Sequence, residues 1–572
     1  MRNTCNAVSR AALLLSFCLL ALSVRAATPE NAPVKTALLV PGDVDVALSV
    51  SDPAALRKAL VESDFGKLWA EPEVQLFAKP IADDLAAKYA NFRQGMPFAP
   101  DLADLGKVFS GELALTFVYS EEGIPALCLA AQVKDAQALE RMLKPFLGEQ
   151  KLQEGKVLAL GPGLVSFVLE KGLLLAASDA GALEKMRERA VDPAKRAGAL
   201  ANAKGWVAVQ KLLPEPRHAV LYVSVPRLFA AALKKAPEPE FSKNALATSG
   251  LEAVQAVAVQ LGSRGTLLTC DLAAAIEGQP RGLLAALTDI KPLPAEALKM
   301  VPEQATFCSV ARLDCTALLA ALRAPLDAPK RQELDAGLAA ANAVFGLDVE
   351  KDLLAGFGDT YSLYDVGGNE IFGLLPGAAF CVSLKDAAKA GQTLDKLIDK
   401  LKEKLPQGAP FAPTFEVREV KLGDVRVRYL FCSMLPFAPS VAIAQNRLFV
   451  TLSVNGMRRA LAQLSAPRSL ADTAGFKEAL ERATGKPLDL RALPGQFTYS
   501  CPDKIRTSYS TLGAFAQMVA GSLKMQARMR AQFGGQPNPK DEIAGLFEKA
   551  DFALFPSDEV ITKHMRPAGA CW

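Results

Sequence analysis

One local unit recurs along this chain in a fixed order, and that order constrains the fold more than any other feature. The stretch VPGDVDVALSVSDPAALRKAL (40–60) reads as an apolar strand, an Asp-Pro helix start and a short amphipathic helix, and it returns at 301–322 as VPEQATFCSVARLDCTALLAAL. Strand-cap-helix units occupy 45–60, 127–146, 173–186 and 219–233, and their counterparts follow in the same order at 306–322, 379–398, 448–461 and 497–512. Between the first two units, DLADLGKVFSGELAL (101–115) parallels DVEKDLLAGFGDTYSL (348–363), with Phe109 matching Phe357 and Leu115 matching Leu363. Composition alone does not preserve order in this way. The pattern predicts two tandem copies of one module of about 260 residues, joined by a linker near 289–302 where two prolines flank a short helix.

Within each copy, short apolar strands such as LALTFVY, LVSFVL and LLLAA cluster between glycine-rich turns like GPG (161–163). Clustered strands with short connections pair antiparallel, so the predicted fold class is α+β, with mainly antiparallel sheets and helices packed on one face. Asp52 can cap the first helix, and Pro53 then sits where its missing N–H costs nothing. The glycines of GSRG (262–265) and DVGGNE (365–370) read as hairpin turns. A further amphipathic helix is predicted over 511–533, with Leu512, Phe515, Val519, Leu523 and Phe533 along one face. Such a Met-rich helix can meet a partner or a lipid, but a stripe of this kind is more often simply core, and that is the expectation here.

A chain of 572 residues exceeds what one hydrophobic core usually serves. The expected division is a signal peptide at 1–26, a first α+β module at 27–290 and a second at 291–572. The leader rests on Arg2 and Arg10 ahead of AALLLSFCLLAL (11–22), with Val24 and Ala26 at a cleavage point. That run is too short to span a bilayer, and no later segment resembles a transmembrane helix. The expected location is therefore periplasmic or extracellular.

The leader holds Arg2, Arg10 and Arg25 and no acid, so processing lowers the formal charge of +4 by three. A chain so nearly neutral gives no electrostatic case for nucleic acid, or for an anionic membrane as main partner. Loss of Cys5 and Cys18 leaves Cys128, Cys270, Cys308, Cys315, Cys381, Cys432, Cys501 and Cys571. An even number in an oxidising compartment permits disulfides, while burial in apolar runs fits free core thiols. Spacing does not choose between them.

Catalytic signatures are missing from the sequence. His218 and His564 are the only histidines, which removes His-rich zinc and paired-His haem sites. Each is expected in an ordinary hydrogen-bonding role. There is no GxSxG elbow and no phosphate-binding GxxxxGK[ST] loop. The acid pairs in DVD (43–45) and EEG (121–123) read as solvated turns, and the basic runs 185–196 and 524–530 as solvated helix faces. No catalytic, cofactor-binding or metal-binding residue is nominated, and no cofactor is expected.

The VP strand leading to its Asp-started helix, SDFGKLWAEPEVQLF (63–77), GLDVEKDLLAGFGD (346–359) and FPSDEVITKHMRPAG (555–569) resemble a family of exported bacterial proteins known only as a domain of unknown function. The resemblance implies export and a duplicated α+β architecture, and it carries no catalytic residue. Family members continue past the PAG stretch, so the last strand is expected to be cut short at Trp572. The leading functional expectation is a non-enzymatic exported protein that binds an unknown protein as an interaction or scaffold surface. The alternatives are an apolar-ligand or lipoprotein carrier with an enclosed cavity, and a hydrolase using paired carboxylates in a cleft.

Overall fold

The computed structural model describes residues 35–571, apart from 96–107, 119–125, 148–149, 161–164, 236–245, 247, 325, 371–374, 405–414, 433–436, 467, 487–488, 490–492 and most of 502–550. The leader, GPG and EEG lie outside the described residues. The chain divides into two units, residues 1–243 with 251–279, and residues 244–250 with 280–572.

Each unit is built on one nine-stranded sheet. The first contains β1 (Val46–Val50), β2 (Phe109–Val118), β3 (Ala126–Val133), β4 (Leu158–Leu160), β5 (Val165–Glu170), β6 (Leu173–Ala177), β7 (Arg217–Ser224), β8 (Val254–Arg264) and β9 (Leu267–Ile276). The second contains β10 (Phe307–Arg312), β11 (Phe357–Glu370), β12 (Leu375–Leu384), β13 (Phe415–Leu422), β14 (Val425–Cys432), β15 (Ser440–Ala444), β16 (Arg447–Thr451), β17 (Gln496–Ser500) and β18 (Ala568–Cys571). The orders are β4-β5-β6-β3-β2-β1-β7-β8-β9 and β13-β14-β15-β16-β12-β11-β10-β17-β18. From β4 to β8 and from β14 to β18 the two orders coincide strand for strand, and the paired strands named here run antiparallel. Both sheets carry helices, as the α+β reading expects. The last strand is formed, with Ala568–Cys571 pairing along β17.

The likeness reaches individual residues. Helix α1 (Pro53–Glu62) is capped by Asp52, whose carboxylate accepts from Ala54 N at 2.8 Å with Pro53 at the first position. The corresponding helix of the second unit, Cys315–Arg323, is capped by Asp314 through Thr316 N and Ala317 N. Helix α2 (Ala136–Leu147) starts on Asp135, its counterpart Ala387–Lys404 on Asp386. Helix α3 (Ala180–Val191) starts on Asp179, its counterpart Val454–Gln463 on Ser453.

The strand beside the one that leads into each α2-type helix, β2 or β11, carries the same irregularity. Phe109 pairs with Val133 and Phe357 with Leu384, and the register then slips by two residues before Leu113 meets Ala131 and Tyr361 meets Val382. Gly111 makes the first slip possible: its φ is +67°, and a β-carbon there would run into the Gln132 side chain. The hairpins entering β6 and β16 also agree, with left-handed Lys171-Gly172 and Gln445-Asn446, the pair of positive φ angles that a two-residue turn of this hand requires.

On the inner face of each sheet an aromatic side chain closes the core. Helix α4 (Lys204–Leu212) sets Trp206 edge-on against Tyr222 of β7, ring centroids 5.4 Å apart, and the helix Ala474–Thr484 sets Phe476 against Tyr499 of β17 at 5.5 Å. Gly205 and Gly475 precede these rings, and a β-carbon at Gly205 would sit 2.8 Å from the Tyr222 hydroxyl. Sequence reading missed this correspondence, LANAKGW (200–206) with LADTAGF (470–476), which share Leu, Ala and Gly and end on an aromatic residue, because it lies outside the strand-cap-helix units.

Several expectations need correction. The first sheet is covered on both faces: one cluster packs Cys128, Ala130, Leu175 and Ala177 under α3 and α4, and another packs Ala131, Leu174 and Ala176 under Leu139, Leu143 and Leu147 of α2. Two-sided cover is why LLLAA of β6 is apolar at every position. The stretch 289–302 is no free linker, since Leu293, Ala297, Leu298, Met300 and Val301 are core of the second unit. Gly367 and Gly368 lie within β11, at a register shift between Asp365 and Asn369, and not in a turn. GSRG does end in a hairpin, with Gly265 left-handed between β8 and β9.

In the basic run 185–196, Arg189 is buried and donates to Leu39 O and Gly198 O, where a solvated face was expected. Gln463 does the same work in the second unit, donating to Lys299 O and Arg468 O. In both places a side-chain donor satisfies carbonyls that burial would otherwise strand.

The paired aromatics give the first prediction. Trp206→Ala and Phe476→Ala should each lower the unfolding free energy by about 3–5 kcal/mol, measured by urea denaturation. A loss under about 1 kcal/mol at either position would remove that ring from the core.

Candidate functional site

The histidines take up hydrogen-bonding positions. His218 opens β7 with its Nε2 2.7 Å from Ser263 Oγ on β8, and burial pushes its pKa below the ordinary 6.5 while nearby Asp52 pulls it back up. A serine and a histidine at that distance are two members of a nucleophilic set. The third is not assembled, because the Asp52 carboxylate binds Ala54 N at the cap of α1 and has no hydrogen bond to the ring. His564 caps the helix Asp558–Lys563. Of the DVD acids, Asp43 is exposed, but Asp45 is buried against Arg227 Nε at 3.0 Å, contrary to the solvated turn expected. Among the described residues no group of three or more His, Cys, Asp or Glu could hold a metal ion.

Carboxylates do gather at one open pocket of about 460 Å³ in the second unit. Helix α5 (Cys315–Arg323) ends at its wall, and helix α6 (Ala328–Phe345) and the turn at 348–351 form the rest. Arg323 lies between two acids, donating to Asp335 at 2.9 Å and to Glu350 at 2.8 Å. Asp348 caps the turn through Glu350 N and Lys351 N. These carboxylates are engaged as structural acceptors, which is not the arrangement of a free acid beside a free base. The lining is also too charged for an acyl chain.

The outer face of the second sheet presents a different chemistry. Side chains alternate along a strand, so β11 turns Ser362 and Tyr364 into the core and Leu363 outward, and β12 turns Ala379 and Cys381 inward and Phe380 outward. Leu363 pairs with Phe380, Phe380 with Val450 of β16, and Val450 with Val441 of β15. These neighbours form a lateral strip spanning roughly 14 Å at the usual strand spacing. Leu363 is 42% exposed, Phe380 39% and Val450 38%. Polar groups bound the strip: Ser309 and Thr498 share a 3.2 Å hydrogen bond at one end, and Arg428 bonds Asp395 at the other.

Helical cover stops two residues short of the strip. Tyr361, the previous outward position on β11, meets Cys315 Sγ of α5 at 2.9 Å, and its strand partner Val382 is fully buried. In the first unit the matching row is closed. Leu115 pairs with Leu129, Leu129 with Ala176 and Ala176 with Phe167, and α2 lays Leu139, Leu143 and Leu147 into the same cluster. Its counterpart α7 (Ala387–Lys404) reads AAKAGQTLDKLIDKLKEK, and its Asp395 reaches β14 while Leu401 stays exposed. The strand pattern would have revealed the outward Leu363 and Phe380. Their exposure depends on a helix placed elsewhere in the sequence.

The eight cysteines that the sequence left undecided are all free thiols. Burial pushes Cys128 up to about 11 and both Cys308 and Cys381 up to about 12, so these stay protonated and unreactive near neutrality. Cys270 is exposed on β9. Brief alkylation of the native protein near pH 8 should therefore label Cys270 first and spare Cys128, Cys308 and Cys381 until denaturant is added, read by peptide mass spectrometry.

A second expectation concerns pH. Because the folded protein binds the His218 proton less readily than the unfolded chain, stability should decline as pH falls through 6.5 toward the lowered folded value. This part of the decline should vanish in His218→Asn, and an identical pH profile for both proteins would refute it.

Residues 121–408, half of the chain, match the model of a family described as protein of unknown function (DUF3352), a stretch running from the start of β3 in the first unit to the end of α7 in the second. No curated protein and no solved structure matches the chain. The chain belongs to this family of proteins of unknown function.

Proposed function

We propose that this chain is an exported, non-catalytic binding or scaffold protein of the cell envelope or exterior, and that the strip Leu363–Phe380–Val450 is where it meets a protein partner. The observation that carries the reading is the exposure of this strip in a unit whose sister covers the same row. Three laterally paired apolar side chains in water are unfavourable by area alone, and such patches on folded proteins mark interaction surfaces. Polar groups at both ends suit a small interface with a dry centre and a wet rim.

The leader supports export, and no helix among the described residues is long and apolar enough to cross a membrane. The carrier alternative needs an enclosed apolar cavity, and the pocket at Arg323 is open and charged. The hydrolase alternative needs free paired acids, and Asp335 and Glu350 are already joined through Arg323.

The test is native mass spectrometry of the mature protein gently extracted from its own source, beside the variant Leu363→Ser, Phe380→Ser, Val450→Ser. A co-purifying protein seen with the wild type should be lost in the variant, whose melting temperature should stay within a few degrees of wild type. A partner retained by the variant, or a bare monomer in both, would sink the assignment of this strip.

A further inference from the structure

Four strands end the two sheets, and three of them carry features that keep a sheet from growing. β4 spans only Leu158–Leu160 and β18 only Ala568–Cys571, while β13 exposes Glu416, Arg418, Glu419 and Lys421. β9 has neither protection. Its residues, LLTCDLAAAI, hold one charge, Asp271, which accepts from Gln260 Nε2 at 3.1 Å, and Cys270 and Leu272 are exposed, Leu272 to 53%. Among the described residues no strand pairs with its outer side. A two-residue turn closed by the Arg264–Leu267 pair joins β9 to β8, so by alternation the N–H and C=O groups of Leu268, Cys270, Leu272 and Ala274 face away from β8.

The side chains agree with the backbone. An apolar row crosses the sheet from Leu115 through Leu48, Leu221 and Val259 and ends on Leu272, where a solitary sheet turns polar. The matching row of the second unit does turn polar, passing from Leu363 to Ser309 and Thr498. Beside the start of β9, the helix Asp64–Trp69 donates Asp64 N to Thr266 O at 2.9 Å and leaves Phe65 62% and Trp69 43% exposed. Large exposed aromatics of this kind are what interface centres use. A long free edge, the end of an apolar row and an exposed aromatic pair thus share one border of one sheet.

From this we propose that β9 pairs antiparallel with β9 of a second copy of this chain, about a two-fold axis that sets Leu272 opposite Leu272. A second copy fits better than an unrelated strand because the edge is complementary to itself. With a single charge on the strand, like charges meet only if the axis passes through Asp271. An axis through Leu272 sets Asp271 opposite Ala273 and engages more of β9 than one through Cys270 does. It also brings the start of each β9 to the end of the other, so the helix Asp64–Trp69 of each copy borders the pair at one end. The paired strands with Phe65, Trp69 and Leu272 of both copies bury on the order of 1,200 Å² in total, the size of a specific interface. This contact rests on the first unit and does not depend on the strip of the second.

Sedimentation equilibrium of the mature chain, from Ala27 onward, in the presence of a thiol reductant decides it. At about 50 µM the wild type should be dimeric, and it should dissociate on dilution. Leu272→Lys places two ammonium groups opposite each other at an exposed position, and it should weaken dimerisation at least about tenfold with circular dichroism unchanged. In the wild type itself, hydrogen exchange across Leu267–Ile276 should slow as protein concentration rises, while exchange across Phe415–Leu422 of the charged edge β13 should not. A monomeric wild type at that concentration, exchange in β9 that ignores concentration, or a dimer that Leu272→Lys leaves intact would overturn the proposal. A dimer seen only without reductant would overturn it too, by assigning the contact to a Cys270 disulfide.

Discussion

The corner between a strand and its helix is the element on which both units depend. At Asp52, Asp135, Asp179, Asp314, Asp386 and Ser453 a short oxygen-bearing side chain takes up a backbone N–H that the first helical turn leaves unpaired. Fixing where the helix starts fixes which of its faces returns over the sheet. In the second register, Lys134 N bonds Val108 O and Lys385 N bonds Gly356 O, tying each α2-type corner to the bulged neighbouring strand. Cap, bulge and hairpin are thus one joint, and its presence twice makes the two sheets the same object in physical terms.

Identical joints do not oblige identical surfaces. Helix α2 offers leucines at 139, 143 and 147, one turn apart, and closes the outer row of the first sheet with a second core. Helix α7 occupies the corresponding place in sequence but spends its residues differently: Ile398 is buried, and lysines at 396, 400, 402 and 404 crowd the rest of its last turns. A helix so charged cannot lie flat on Leu363, Phe380 and Val450 without desolvating ammonium groups. The bare strip is therefore a consequence of the helix opposite, since Leu363 and Leu115 are the same residue in the two sheets.

This division also explains what could be read without coordinates. The repeat, the caps and the antiparallel α+β class are local, carried by spacings of a few residues such as Asp52-Pro53 or the alternation in AAFCVSL. Burial is a property of whichever element arrives from afar, so Arg189 looked solvated until Leu39 and Gly198 supplied its carbonyl partners. Gly367-Gly368 has the composition of a turn and the position of a bulge, a distinction that only the partner strand makes. Likewise the linker prolines at 292 and 294 flank Leu293, whose burial under the second unit is invisible in a composition window.

The same reasoning applies to charge. A net value describes a whole chain, whereas a surface responds over about 8–10 Å, the distance at which salt screens one charge from another. In the central part of each unit, pairs such as Arg312 with Asp359 and Arg227 with Asp45 neutralise one another within that distance and leave little field outside. Between Asp503 and Asp541 the sequence holds six cations and no acid. Near-neutrality of the total therefore says nothing of how charge is spread along the chain. Duplication permits local differences, because the same sheet recurs in both units while the helices laid on it carry different side chains, as α2 and α7 do.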